Sequence, residues 1–380
     1  MLRLWKPKPA DRVRGTMSGL REEKLREYDE SYPNYVKIEN IVAELLEKTL
    51  KEGGIRPMQI AHRIKSRDSV AGKMERKPEK YPRVGIMNDL IGFRLICYFS
   101  YQVDEMAKLV EKVLVVDREK SSDKRKQMAP TAFGYLSLHY ICSLPKNAGY
   151  PDELTVYTFE IQFRTVLQHA WAEIEHDLGY KTEFGIPLDV RREFSRVAGL
   201  LEIADETFES IKNKIGFYEE VVRKAIANDE ADELTLDLIT LTEYMLRSRT
   251  MGNLLTALNA ITGAEIIAVS PENYLERLQF FGIRKLGDLN SFVEQEQEHA
   301  LMLAQSALVD ADLDEIASTA GLHYLCRAKL VFGGYREEEM RDYFSIYISD
   351  ENKITKQIRS IFHLRERYGK DFGENDENIG

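Results

Sequence analysis

Residues 159–165 read FEIQFRT. Phe159, Ile161 and Phe163 alternate with Glu160, Gln162 and Arg164, and a period of two sorts side chains onto one apolar and one polar face only in an extended strand. A chain with such a strand must build a sheet with one side packed on a core. The other side carries a carboxylate, an amide and a guanidinium in succession. It is either a solvated surface ladder or the floor of a site.

Other segments supply partners for this strand. DLIGFRLICYF (89–99) is a β-rich run, GYLSLHYICSL (134–144) is a second strand, and DELTVYTFEIQFRT (152–165) holds the third. YQVDEMAKLVEKVLVV (101–116) has the spacing of a helix crossing the sheet, and VLQHAWAEIEHDLGYK is helical through Val166, Ala170, Ile174 and Leu178. Upstream, residues 19–52 have heptad-like apolar spacing, with Pro33 as an expected break and a Gly pair as the stop. Asp68 or Ser66 is the expected N-cap of the helix in DSVAGKMERK. This order predicts an α+β chain: a mixed β-sheet flanked by helices to about residue 185, long helices over 187–226, the acidic joint NDEADE, and a mostly helical C-terminal region. The expected division is a basic lead and helices over 1–52, a sheet-containing domain with trailing helices over 53–227, and a helical domain over 234–380.

At 380 residues the chain can hold two or three domains. Its net charge of −10 argues against a protein that coats nucleic acid. No apolar run approaches the roughly 20 residues that span a bilayer, so no membrane role is expected. The basic start lacks the apolar stretch of a secretory signal. Cys97, Cys142 and Cys326 are widely spaced, without a CxxC or Cys/His pattern, which disfavours zinc and points to a reducing cytoplasm.

Polar residues gather on the three strands. Asp89 stands at the entry of the first and Arg94 within it; Tyr135, Ser137 and His139 share a face of the second; Glu160, Gln162 and Arg164 line the third. Carboxylates on neighbouring strands can share a hard cation such as magnesium. Basic tracts containing Arg63, Lys65, Arg67 and Lys73, and then Arg118, Lys120, Lys124, Arg125 and Lys126, can hold a polyphosphate against it. An aromatic such as Tyr135 can stack on a base. Taken singly, each has a plainer reading: an Asp before a strand as a turn residue, basic tracts as solvated faces, His139 as a packed sheet histidine. The coincidence on three strands favours a nucleotide-phosphate site.

The series HRIKSRDSVAGKMERK, DLIGFR, FGYLSLHY and FEIQFRTVLQHAWAEIEHDLGYK, over roughly residues 40–185, resembles the synthetase domain of the RelA/SpoT family, which makes the alarmones pppGpp and ppGpp. The resemblance implies a nucleotidyltransferase-like sheet and a magnesium-dependent transfer of the β,γ-pyrophosphate of ATP to the 3′-hydroxyl of GDP or GTP. By motif position it implies Asp89 and Glu160 as catalytic and magnesium-binding residues. It implies Arg63, Lys65, Ser69, Lys73, Lys124, Arg125 and Lys126 as ATP-binding, and Tyr135, His139 and Gln162 as acceptor-binding. Arg94 and Arg164 match motif positions where a structural ion pair serves equally well. Phe133 and the stretch APTAF depart from the family pattern and bear on the acceptor. His176–Asp177 is a His-Asp pair inside the last motif and reads as structural. Relatives assemble into homo-oligomers. The chain therefore reads as a synthetase-only member with its own helical extension. One alternative keeps the chemistry and changes the acceptor to the 3′ end of tRNA, or to an adenine nucleotide, with the C-terminal region inhibitory. A second is a non-catalytic nucleotide-sensing scaffold, which predicts a missing metal carboxylate.

Overall fold

A computed structural model describes residues 9–127, 134, 137–180, 187–309, 311 and 313–368. They fall into two compact units, Met1–Lys212 and Asn213–Gly380.

The first unit opens with helix α1 (Pro9–Glu52), which runs through Pro33 without a break. The expected stop at Pro33 does not occur. The missing proline N–H costs one backbone bond, but Leu25, Tyr28, Tyr35, Ile38, Val42, Leu46 and Leu50 on both sides of it are buried, and that burial outweighs it. The chain continues through β1 (Gln59–Ile64), α2 (Arg67–Arg76), β2 (Ile91–Cys97), α3 (Ser100–Val113), β3 (Val115–Asp123) and the single turn α4 (Lys124–Gln127). It then forms β4 (Leu138–Ser143), the turn α5 (Asp152–Thr155), β5 (Phe159–Thr165), α6 (Val166–Tyr180) and α7 (Leu188–Ala227), within which the unit boundary falls.

The five strands pair in the order β1-β2-β5-β4-β3. β2 and β5 are parallel and the other pairs antiparallel, so the sheet is mixed and flanked by helices, as the sequence pattern implies. Three strands of this sheet are legible in the sequence, and the described residues form five. β1 and β3 are the two edges, where every residue is exposed or half-buried and no alternation is left to read. The third strand begins at Phe159; residues 152–155 make a helical turn instead.

One face of the sheet carries Phe93, Leu95, Leu138, Tyr140, Phe159, Ile161 and Phe163, packed in a common core with α1 and with Val103, Met106 and Val110 of α3. The other face is open at one end. β2 and β5 each start with alternating buried and half-buried residues and finish with three buried ones. At that closed end α6 lies over the strands, and Arg94 pairs with Glu173 of α6 at 2.7 Å. A polar face covered at one end and open at the other leaves a basin over the strand starts.

The second unit contains α8 (Leu238–Arg247), α9 (Arg249–Thr262), β6 (Glu265–Ile267), α10 (Leu275–Phe280), α11 (Leu286–Leu308), β7 (Glu315–Ala317), α12 (Ala320–Phe332), α13 (Glu337–Ser345) and α14 (Glu351–Tyr368). It is mostly helical, with β6 and β7 forming a small parallel pair. The apolar excess of LERLQFFGI is spent on packing: Leu278 is buried in this unit's core, and Phe281 stacks on Phe292. Arg277, also buried, lies 4.1 Å from the Tyr274 ring centroid and 4.2 Å from that of Tyr347, and donates to the Tyr343 hydroxyl at 2.9 Å. Among the described residues no helix is long and apolar enough to cross a membrane.

Candidate active site

The register of the sheet arranges the polar face in two rows. Arg63 on β1, Gly92 on β2 and Glu160 on β5 lie side by side in one; Ala61, Arg94, Gln162 and His139 form the next. Strand spacing of about 4.8 Å puts Arg63 and Glu160 two spacings, or roughly 10 Å, apart along the backbone. A cavity of about 140 Å³ opens above these rows, lined by Arg63, Lys65, Asp89, Gly92, Glu160 and Gln162 among others. Asp89, just ahead of β2, and Glu160 on β5 thus face one basin, and the Asp89 charge pushes the Glu160 carboxyl up.

The lead-in to Asp89 is pinned to α1. The Glu27 carboxylate accepts from the backbone N–H groups of Val84 (3.0 Å) and Gly85 (3.1 Å), which fixes the short 3₁₀ turn Val84–Ile86 ahead of Asp89. Lys65 is held on the other side: its N–H donates to the Leu90 carbonyl (2.7 Å) and its carbonyl accepts from the Tyr28 hydroxyl (2.7 Å). Ser66 is the N-cap of α2, accepting from the Ser69 N–H at 3.3 Å. That places Lys73, in the last turn of α2, against the same carboxylate.

Asp89 Oδ2 accepts from both Lys65 and Lys73, the latter at 2.6 Å. Burial pushes the Asp89 carboxyl up, but the two ammonium groups outweigh it and hold it below the ordinary 3.8. Burial pulls Lys65 down, with Asp89 opposing. Asp89 Oδ1 is buried with no hydrogen-bond partner among the described residues. An orphaned carboxylate oxygen beside a second carboxylate suits a hard cation. Among the described residues no cluster of three His, Cys, Asp or Glu side chains could hold a metal. The pair of carboxylates, Asp89 and Glu160, fits magnesium, which binds through one or two carboxylates and completes its shell with water and phosphate.

Glu160 heads a ladder. Its Oε1 accepts from His139 Nδ1 at 2.8 Å and its Oε2 from Gln162 Nε2 at 2.7 Å, while Gln162 Oε1 accepts from Arg164. A carboxylate only accepts, so the proton of His139 facing it sits on Nδ1. Burial pushes the Glu160 carboxyl up, but its interactions with His139 and Gln162 together outweigh this, leaving it below the usual range.

The structure thus brings together Arg63, Lys65, Lys73, Asp89, His139, Glu160 and Gln162. Ser69 stands at the start of α2, with its hydroxyl bonded to that of Ser66 at 2.8 Å. Lys124, Arg125 and Lys126 are not part of this basin. They follow β3, at the sheet edge opposite β1, where Arg125 pairs with Asp123 (2.9 Å) and Asp104 (2.8 Å). Arg94 forms its ion pair and also lines the basin. His176 and Asp177 are exposed on α6. Tyr135, Phe133 and the APTAF stretch lie outside the described residues.

Residues 62–184 match the model of the region found in RelA / SpoT proteins. Among curated proteins, the GTP pyrophosphokinase YwaC of Bacillus subtilis (strain 168) is 30% identical over 159 residues, covering 40% of this chain and 72% of that protein. The chain belongs to the RelA/SpoT family. A second relative, the GTP pyrophosphokinase YjbM of the same organism, is 28% identical over 159 residues, covering 41% of this chain and 72% of its own length. The crystal structure of small alarmone synthetase 1 from Bacillus subtilis superposes with a TM-score of 0.43 at 21% identity, spanning 50% of this chain and 98% of that one.

Within this RelA/SpoT region, sequence reasoning passed over Gly92. A glycine inside a buried strand signals a close approach, and here it sits beside Glu160 in the parallel register. A Cβ built on Gly92 meets nothing within 4 Å, so a side chain there projects into the open basin. Gly92→Leu is expected to leave the thermal midpoint within a few degrees of wild type while raising KM for nucleotide by about tenfold or more, because the added volume occupies the basin and not the core. Thermal denaturation alongside steady-state kinetics checks both halves.

Proposed function

We propose that this chain transfers the β,γ-pyrophosphate of ATP to the 3′-hydroxyl of GDP or GTP, releasing AMP. The observation that carries the reading is the convergence of Asp89 and Glu160 on one basin walled by Arg63, Lys65 and Lys73. The names of the two curated relatives, both GTP pyrophosphokinases, support it.

The cation side of the basin receives the triphosphate. Lys65 and Lys73, now bound to Asp89, can turn to phosphate oxygens, and Arg63 is exposed above them on β1. Asp89 and Glu160 would hold magnesium, whose charge stabilises the transferring phosphate. The 3′ oxygen forms a bond to the β-phosphorus as the bond from that phosphorus to the α,β-bridging oxygen breaks; AMP leaves with that oxygen and the bonding electron pair, and the proton of the 3′-hydroxyl passes to water. Glu160 accepts two hydrogen bonds and is held more acidic than an ordinary glutamate, which weakens it as a proton acceptor. Its role is to hold the metal and to orient the hydroxyl, with His139 and Gln162 fixing the carboxylate in place. In-line positioning and charge neutralisation then account for most of the rate.

The test is a product profile. Purified protein with labelled ATP and magnesium is incubated with GDP, GTP, GMP, ADP or deacylated tRNA, and AMP and the pyrophosphorylated acceptor are separated by chromatography. Transfer to GDP or GTP is expected. Transfer confined to tRNA or ADP would replace this acceptor assignment, and no AMP release with any acceptor would overturn the reading.

A further inference from the structure

The helical second unit buries positive charge that no described carboxylate answers. Arg277 of α10 is only 5% exposed, and Arg327 of α12 is half-buried. Arg277 rests against the rings of Tyr274 and Tyr347 and donates through Nε to the Tyr343 hydroxyl. Arg327 donates through Nη2 to the Ser360 hydroxyl at 2.6 Å and through Nη1 to the Gln357 amide oxygen at 3.5 Å, both on α14. Every one of these partners is uncharged. Among the described residues neither guanidinium forms an ion pair. Yet acidic residues outnumber Lys and Arg by 63 to 53 in the chain, so a counter-charge is not scarce in the sequence.

The groups around the two arginines do not supply it. The hydroxyls of Tyr274, Tyr324, Tyr343 and Tyr347 and the thiol of Cys326 become anions only by losing a proton, and burial pushes each of them above its ordinary value. All five are neutral near neutral pH. His323 stands one turn before Arg327 on α12. Burial, and then the charges of Arg277 and Arg327, push its imidazole down to about 4, so it too is neutral and both arginines act on the same place. Ring contacts serve the faces of the Arg277 guanidinium, which offsets only part of the cost of burying an unpaired charge. Its edge is left over: Nη1 and Nη2 donate to no described group, and neither is sealed from solvent. Two coplanar nitrogens with free N–H groups are the fork that takes two oxygens of one oxyanion side by side.

We infer that Arg277 and Arg327 form an anion site in the second unit, and that it takes a phosphate group. A phosphate carries about two negative charges at neutral pH, which answers two guanidiniums, whereas a carboxylate brings one. The site belongs to a different unit from the Asp89 basin and does not depend on the proposed pyrophosphate transfer. Free inorganic phosphate and the terminal phosphate of a nucleotide share this chemistry. Tyr347, 42% exposed and in contact with Arg277, offers a ring to a base in the second case.

The experiment measures binding, so it stands apart from turnover. Full-length protein is dialysed to equilibrium against radiolabelled inorganic phosphate at about pH 8, where the dianion predominates, and at constant ionic strength. The series is repeated with Arg277→Met, Arg327→Gln and, as a control on the first-unit basin, Lys73→Ala. Wild type is expected to show saturable binding that each arginine variant weakens by about tenfold or more and that Lys73→Ala leaves within about twofold. Competition separates the sources. AMP or GDP that displaces the label at about a tenth of the concentration of unlabelled phosphate, or less, identifies the phosphate of a nucleotide; displacement no better than by phosphate itself identifies the free ion. Acetate that displaces the label as readily as phosphate overturns the assignment of a dianion. Absence of saturable binding, or saturable binding that both arginine variants retain, overturns the site. If Arg277→Met does not fold, Arg327→Gln, at the half-buried partner, decides alone.

Discussion

Glu160→Gln is expected to lower pyrophosphate transfer by about a thousandfold or more, with little change in fold. The substitution keeps the shape of the side chain and removes its charge. In the wild type both carboxylate oxygens accept, from His139 at 2.8 Å and Gln162 at 2.7 Å. An amide can accept from only one of them and presents its NH₂ to the other, a donor facing a donor, which costs about 1–3 kcal/mol. Most of the sheet's stability lies on its other face, in Phe93, Phe159, Ile161 and Phe163, which the change does not touch. Loss of activity should therefore far exceed loss of stability. Glu160→Asp separates charge from reach: it keeps the carboxylate, withdraws it by one methylene, and should retain more activity than Gln. The measurements are kcat with saturating ATP and GDP, and the thermal midpoint. Retention by Glu160→Gln of more than about a tenth of wild-type activity would show that the ladder is structural and that the chemistry lies elsewhere.

The ladder is also the part of the site that the sequence states most openly. Phe159–Thr165 alternates because one face must be buried, and on the other face Glu160 and Gln162 line the basin. The same logic finds Arg94, because β2 repeats the pattern. It misses β1 and β3, since edge strands bury too little to impose a period, and β3 is further broken by an irregularity between Asp117 and Ser122. Proximity in the chain also misleads. Both basic tracts look alike as letters, but strand order sends Arg63 and Lys65 to the Asp89 basin and Lys124–Lys126 to the opposite edge. Pro33 misleads in the other sense: a local rule against proline in helices yields to the burial of residues on either side of it.

Asp89→Asn is expected to abolish magnesium-dependent transfer and, unlike Glu160→Gln, to make stability depend on pH in a new way. In the wild type one carboxylate oxygen answers two ammonium groups, with side-chain exposures of 28% for Asp89, 19% for Lys65 and 22% for Lys73. The Asp89 carboxyl is held below its ordinary 3.8. Its contribution to stability is therefore complete above about pH 4 and is lost as the pH falls through the lower folded value, leaving the wild type flat through neutrality in this respect. In Asp89→Asn the lysines face each other with no counter-charge, at a cost of about 1–3 kcal/mol, moderated by partial exposure. Burial already pulls Lys65 down, and Asp89 is what opposes it. With that opposition gone, the folded state binds fewer protons than the unfolded chain, so stability must rise with pH as one lysine sheds its proton. The thermal midpoint of Asp89→Asn should climb more steeply than that of the wild type as the pH rises from neutrality towards the ordinary lysine range. Magnesium with α,β-methylene-ATP should raise the midpoint of the wild type and not that of the variant. A variant whose midpoint lies below wild type by the same amount at every pH would mean that Lys65 and Lys73 do not share the charge of Asp89, and the cationic half of the basin would need another explanation.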